Sequence, residues 1–300
     1  MRTFLALTKR HIKVFFKDKG LFFSSLITPI ILLVLYSTFL AKVYKDSFIQ
    51  GLGGFEIDEK LIDGTVAAQL FSSLLAVSCV TVAFCSNIIM IQDKNDGIRS
   101  DFIVSPVRKS TMGLSYFAAS LLSTLIVSFT ATIACFIYIS IKNCWYMSFA
   151  DVMLIMVDVV LLTTFGTALS SIVNVFLTTN GQAQAVGTIV SAGYGFLCGA
   201  YMPIKSFGDG LRNALMFLPG TYGTSLIRNH SLNGVFAEME SVGFPPEVMN
   251  GIKESIDCRL SFFGTNVEQW VMYLVLIGSV VLLIGIYILL NVLKREAKRK

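Results

Sequence analysis

Six long apolar runs, interrupted by polar stretches, leave this chain few choices of fold. They cover about residues 20–41, 66–91, 111–141, 152–177, 185–201 and 270–293. A helix of about 20 residues crosses a hydrocarbon core of about 30 Å. Lipid offers no partner to backbone N–H and C=O groups, so a spanning segment must be a helix or part of a closed barrel. A barrel would show short alternating segments instead. The sequence therefore predicts an all-α polytopic membrane protein with six transmembrane helices. Composition agrees, with 54% hydrophobic and only 14% charged residues, where soluble domains carry about 25% charged. The first run exceeds the roughly 7–15-residue core of a signal peptide and lacks a small-x-small cleavage site, so it is predicted to remain as an anchor.

Residues 1–19 predict a separate amphipathic helix at the membrane interface, ahead of a six-span domain over 20–300. Phe4, Leu5, Ile12, Phe15 and Phe16 give it an apolar side. Lys9, Lys13 and Lys17 recur every fourth residue as a basic stripe, with Arg2 and Arg10 beside it. Such a helix sinks its apolar face at the headgroup boundary and sets its lysines against anionic membrane lipids. Placing both termini and the segment 92–110 inside collects 15 basic and 5 acidic residues there, against 9 basic and 13 acidic in the loops outside. This is the positive-inside pattern, with both termini in the cytoplasm. The outer segment 202–269 is mixed. Within it 207–217 is amphipathic and too short to span, and Leu218-Pro219-Gly220 is expected to end it. Short re-entrant or interfacial helices are expected there, with the rest facing water.

Several chemistries are excluded. No G-x-x-x-x-G-K-[ST] stands in the chain, so it holds no ATP by a P-loop. There is no H-E-x-x-H, and the two histidines, His11 and His230, are expected on opposite sides of the membrane. No catalytic residue, metal site or cofactor is assigned to the chain. The net charge of +5 lies on the side where anionic lipid accounts for it, and no nucleic-acid partner is expected. Glu56, Asp58, Glu59 and Asp63 read as a solvated loop. Cys144 and Cys258 fall in outside loops, where pairing stays open. Asp158 is the one acid well inside a span, at a cost of about 2.5–3.5 kcal/mol near the centre. It is a candidate point on a substrate path or a proton-coupled site, or else an acid paired with a neighbouring helix. No second helix with a matching acid or histidine is evident. Asn174, nearer the inner end, faces the same choice, with packing favoured.

The polar segment 92–110 between the second and third spans concentrates the remaining signal. Asp96 and Gly97 are followed by Ile98, Phe102 and Ile103, spaced to give a short helix one apolar face. Ser105-Pro106 ends that helix, because the residue before proline is pushed out of the α region. Val107, Arg108 and Lys109 follow. An apolar face on a charged loop calls for a partner, either a bilayer surface or a protein groove. This order resembles the cytoplasmic loop of the type-2 family of ABC (ATP-binding cassette) exporter permeases. A second similarity lies at Gly199-Ala200-Tyr201-Met202-Pro203, then Pro219, Tyr222 and Arg228, which is like that family's outer segment after the fifth helix. Arg99 and Ser100 depart from the pattern, with Asp101 one place later than the family's usual acid.

The resemblance implies a permease half that pairs with a second copy or a related chain and with two ABC ATP-binding subunits, which hold ATP and Mg. It implies residence in a plasma membrane, with a bacterial source expected. It implies export of an amphipathic substrate: a drug, lipid, glycan or peptide. Alternatives are a sodium or peptide-immunity exporter of the same build, an intramembrane lipid-modifying enzyme using Asp158, and a membrane anchor without transport.

Overall fold

The computed structural model describes residues 1–35, 38, 41–42, 45–46, 48, 58–104 and 107–296, with the backbone alone at 35, 100, 103 and 292–296. Two helices open the chain, α1 (Arg2–Lys17) and α2 (Lys19–Leu35). Next come α3 (Glu59–Ser86), the short α4 (Ile89–Asn95) and α5 (Ile98–Val104), and α6 (Lys109–Ile141). Then follow α7 (Phe149–Phe176), α8 (Asn180–Leu197), α9 (Asp209–Leu215), α10 (Pro219–Ser241) and α11 (Pro246–Ser255). A hairpin of β1 (Leu260–Phe262) and β2 (Thr265–Val267) precedes the last helix, α12 (Gln269–Glu296). The hairpin strands are antiparallel, Leu260 opposite Val267. Their two-residue turn has positive φ at both Phe263 and Gly264, which matches the twist of paired strands.

Among the described residues four helices are long and apolar enough to cross a membrane: Glu59–Asn95, Lys109–Ile141, Phe149–Phe176 and Gln269–Asn291. The predicted second, third, fourth and sixth runs fall on them. The first and fifth runs form shorter helices, α2 of 17 residues and α8 of 18. Most of 36–41, the end of the first run, lies outside the described residues.

α3 is the axis of the bundle, packed by α2, α6, α7, α8 and α10. Gly166 on α7 lets the two backbones close up, since a Cβ there would come within 2.9 Å of the Val80 Cα. Exposed apolar side chains run along α2 (Phe23, Ile27, Ile31), α6 (Ile126, Ile133, Ile137) and α12 (Leu274, Val281, Leu282), the surfaces a bilayer would solvate.

The segment 202–269 departs from expectation. Most of α10 is a buried 23-residue helix against α3, α7 and α12 rather than a water-facing loop. Its small and hydroxyl residues lower its hydropathy but pack closely, and the hydroxyls are satisfied either within the helix, as Thr224 to the Gly220 carbonyl at 3.0 Å and Ser231 to that of Ile227 at 2.6 Å, or by carbonyls outside it, as Ser225 to Asp257 at 2.8 Å. Pro219 stands in the first turn of α10, where its missing N–H costs nothing, so it starts a helix as well as following the end of one. Cys144 and Cys258 are both free thiols.

Candidate functional site

At one end of the bundle α1, α4, α5 and α6 meet around a buried carboxylate. Asp93, in the last turns of α4, is 3% exposed. Both its oxygens accept from Arg10 of α1, the Nη2–Oδ1 bond being 2.9 Å and the other joining Nη1 to Oδ2. Tyr116 of α6 donates its hydroxyl to Oδ2 at 2.7 Å. His11 stacks on the Tyr116 ring at 4.0 Å between centroids. Burial pushes the His11 imidazole down to about 4, against the pull of Asp93. The ring is therefore neutral at pH 7, its Nδ1 accepting from Arg10 at 2.9 Å, while its buried Nε2 has no partner among the described residues.

α5 hangs from this cluster. Gly97, at φ +77°, turns the chain out of α4, and a Cβ there would meet open space, so the backbone angle alone asks for glycine. Phe102 points inward, its ring centroid 5.4 Å from the Arg10 guanidinium carbon. Of the other residues singled out in this segment, Asp96, Asp101 and Arg108 are exposed and Ile98 is half-buried. The Ile103 side chain, Ser105 and Pro106 lie outside the described residues. Val104 is 89% exposed. Of the apolar face expected to await a partner, Phe102 is engaged inside the chain and Ile98 is half-buried, while Val104, not part of that face, is presented outward.

In α1, Lys9, Lys13 and Lys17 form an exposed stripe. The opposite face is not free to sink into lipid as expected. Leu7, His11 and Phe15 are buried, Phe15 completely, in a cluster with Val82, Met90 and Met112, because α1 packs along α6. Phe16 is half-buried beside Phe15 and Phe22.

Above this end, α3 breaks at Asn87 and restarts as α4. Polar side chains of neighbouring helices converge on the break. Asn87 donates to Ser170 and Ser171 of α7 at 3.0 and 2.7 Å, and Asn174 donates to the Asn87 carbonyl at 3.0 Å. Ser86 meets Ser120 and Thr124 of α6 at 2.6 and 2.8 Å. Asn174 therefore splints the break.

The opposite end holds Arg228, which is 1% exposed. Its guanidinium donates to the Ile256 carbonyl at 2.8 Å, the Gly199 carbonyl at 2.9 Å and Ser73 Oγ at 3.0 Å. Asp257 lies 3.6 Å away and accepts from the Ile204 N–H at 2.6 Å. Burial pushes the Asp257 carboxyl up, and Arg228 opposes that. Tyr222 donates to the Met216 carbonyl at 2.7 Å, and Pro203 precedes the one-turn helix Ile204–Ser206 that supplies the amide to Asp257. Pro203, Pro219, Tyr222 and Arg228 thus belong to one compact knot at the end remote from α5.

Asp158 of α7 is fully buried and paired after all. His230 Nδ1 of α10 lies 2.6 Å from Oδ2, and Tyr273 of α12 donates to Oδ1 at 2.7 Å. The expectation that no second helix carried a matching histidine is corrected. His230 had been assigned to a water-facing loop, and α10 buries it instead. Among the described residues no cluster of three metal-ligating side chains occurs.

A sequence model described as ABC-2 type transporter matches residues 2–230, about three quarters of the chain, including α1, α5 and Arg228. The chain belongs to the ABC-2 type transporter family. It is an integral membrane protein and the permease component of an ABC transporter, a role that pairs it with an ABC ATP-binding subunit. No individual curated protein matches it. In this ABC-2 permease the signals for Asp93, Arg10, Tyr116 and His230 were missed. Each is an ordinary residue in its local sequence, and only a partner on another helix gives it a role, 23 residues away for Tyr116, 83 for Arg10 and 72 for His230.

Proposed function

We propose that this permease is one half of an ATP-driven exporter, with α5 as the place where the ATP-binding subunit pushes. The observation that carries the reading is the fastening of α5: Phe102 lies under Arg10, and Arg10 is clamped to Asp93 beside Tyr116. Force on the exposed side of α5, at Asp96, Asp101 and Val104, would reach α1 and α6 together through that cluster. Charge-assisted hydrogen bonds, shorter and stronger than neutral ones, tie that cluster together. In this reading ATP and Mg belong to the partner, α5 and both termini face the cytoplasm, and α2 and α8 complete six spans. The exposed Lys9, Lys13 and Lys17 lie against anionic lipid of a bacterial plasma membrane. A second copy or related chain supplies the other half, and the substrate is amphipathic: a drug, lipid, glycan or peptide.

The test is purification of the tagged chain from its host after gentle extraction. A stoichiometric P-loop ATPase that is lost from the Val104→Asp variant supports the reading. A chain that purifies alone, or an ATPase retained undiminished by Val104→Asp, sinks it. Direction is read in sealed inside-out vesicles, where ATP-driven uptake of substrate corresponds to export.

A further inference from the structure

The end of the bundle remote from α5 contains a cavity of about 400 Å³, walled by α7, α10, α11, β2 and the start of α12. That volume is in the range of small-molecule sites, roughly 300–1,000 Å³. His230 lines it and is 6% exposed. Its Nδ1 is committed to Asp158, itself held by Tyr273, and no described residue bonds to its Nε2. A carboxylate holding one ring nitrogen fixes the orientation of the imidazole and leaves the other nitrogen for a ligand.

The rest of the lining indicates what that ligand carries. Lys253 and Arg259 bring two cationic groups, and neither makes an ion pair among the described residues; Lys253 rests 4.8 Å from the Phe236 ring centroid. The nearby acids are largely occupied. Asp151 accepts from Ser148 and Asn233, and Glu254 is taken by Lys205 at 2.7 Å. Glu268 stands exposed among the lining residues. Asn229 spends its N–H₂ on the Ser225 and Cys258 carbonyls, at 2.8 Å each, which leaves its side-chain oxygen as an acceptor.

We propose that this cavity is a binding site for a phosphomonoester group. Such a group has anionic oxygens for Lys253 and Arg259 and a hydroxyl for the Asn229 oxygen. With Nδ1 held by Asp158, the His230 Nε2 is a second acceptor beside the Asn229 oxygen, and the single P–OH serves one or the other. A carboxylate or a phosphodiester lacks the donor hydroxyl beside its charge. The cavity has room for a phosphate and an attached group of about sugar size. The phosphomonoester arrives either on a soluble molecule or as a lipid headgroup, and the site does not depend on the direction of transport or on the role of α5.

The test uses the full chain in phosphatidylcholine nanodiscs, grown with ¹⁵N-labelled histidine. The chain has two histidines, so the imidazole spectrum is simple and the His11→Gln variant assigns it. Inorganic phosphate is titrated in one series, and phosphatidic acid replaces part of the lipid in another. A saturable shift of the His230 Nε2 resonance, with His11 unmoved, is expected in at least one series. A shift with phosphate indicates a soluble ligand, and a shift with phosphatidic acid alone indicates a lipid headgroup. The double variant Lys253→Gln, Arg259→Gln, outside the packed core, should raise the apparent Kd roughly tenfold or more. No saturable shift in either series, or an unchanged Kd in the double variant, overturns the proposal.

Discussion

The two ends of the bundle each hold a guanidinium, yet hold it differently. At the end remote from α5 Arg228 is gripped by two backbone carbonyls and Ser73, and its companion Asp257 by backbone N–H groups. At the other end Arg10 is held by side chains: Asp93, with Tyr116 and His11 around it. Backbone acceptors move only if helices move, whereas side-chain partners exchange by rotamer changes. The Arg228 knot is built to stay, and the cluster beside α5 is built to rearrange at modest cost. Burial follows the same division, since the Arg228 side chain is 1% exposed and that of Arg10 is 30% exposed.

The contrast predicts a ranking. Arg228→Met should cost the most, about 3–5 kcal/mol, because it strands two carbonyls and leaves Asp257 buried without its cation. Thermal unfolding in detergent reads this, and Arg228→Lys should rescue little, since one ammonium cannot reach all three acceptors. If Arg228→Met proves milder than Arg10→Met, the distinction between a fixed and an adjustable end fails. Arg10→Met and Asp93→Asn, combined in a double-mutant cycle, should show a coupling of roughly 1–3 kcal/mol, read from the stability of α1 docking by hydrogen exchange.

Acid should act on the α5 end first. Folding holds the His11 value near 4, below the unfolded value of about 6.5, so the detached α1 binds the extra proton between those limits. Stability is whole above pH 6.5 and falls as pH drops toward 4, by on the order of 3 kcal/mol in total. Asp93, Arg10 and Tyr116 are the charged and titratable groups around the ring, and replacing His11 with Phe should flatten that slope. The smallest stability change belongs to Val104→Asp, within about 0.5 kcal/mol for so exposed a position. Its effect on ATPase retention should therefore be out of proportion to its effect on folding.

What could be read in advance follows the range of the interactions. Apolar runs are local, so α6, α7 and α12 lie close to runs read from the sequence, whereas α3 starts at Glu59, ahead of its run at 66, and breaks inside that run at Asn87. α10 was not, because Gly, Ser, Thr and Asn give the same low hydropathy in a water-facing loop as in a tightly packed helix. Pairings such as Asp93 with Arg10, or Asp158 with His230, join residues with more than seventy positions between them, and nothing in either local sequence encodes the match. Phe102 was recognised as apolar and placed on the correct short helix. Its direction, inward under Arg10 rather than outward to a partner, depends on where α1 lies.

The break at Asn87 has a mechanical consequence. Beyond it α4 runs for seven residues, an arm of about 10 Å at 1.5 Å per residue. The pivot is supported by hydroxyls and amides of α6 and α7, which can trade hydrogen bonds among near-equivalent partners while the long part of α3 stays packed. A swing of about 10° at such a joint carries the arm's tip roughly 2 Å, about the size of the small helix shifts that switch other proteins. α3 then acts as a fixed mast, and α4 as a short crank whose tip bears Asp93.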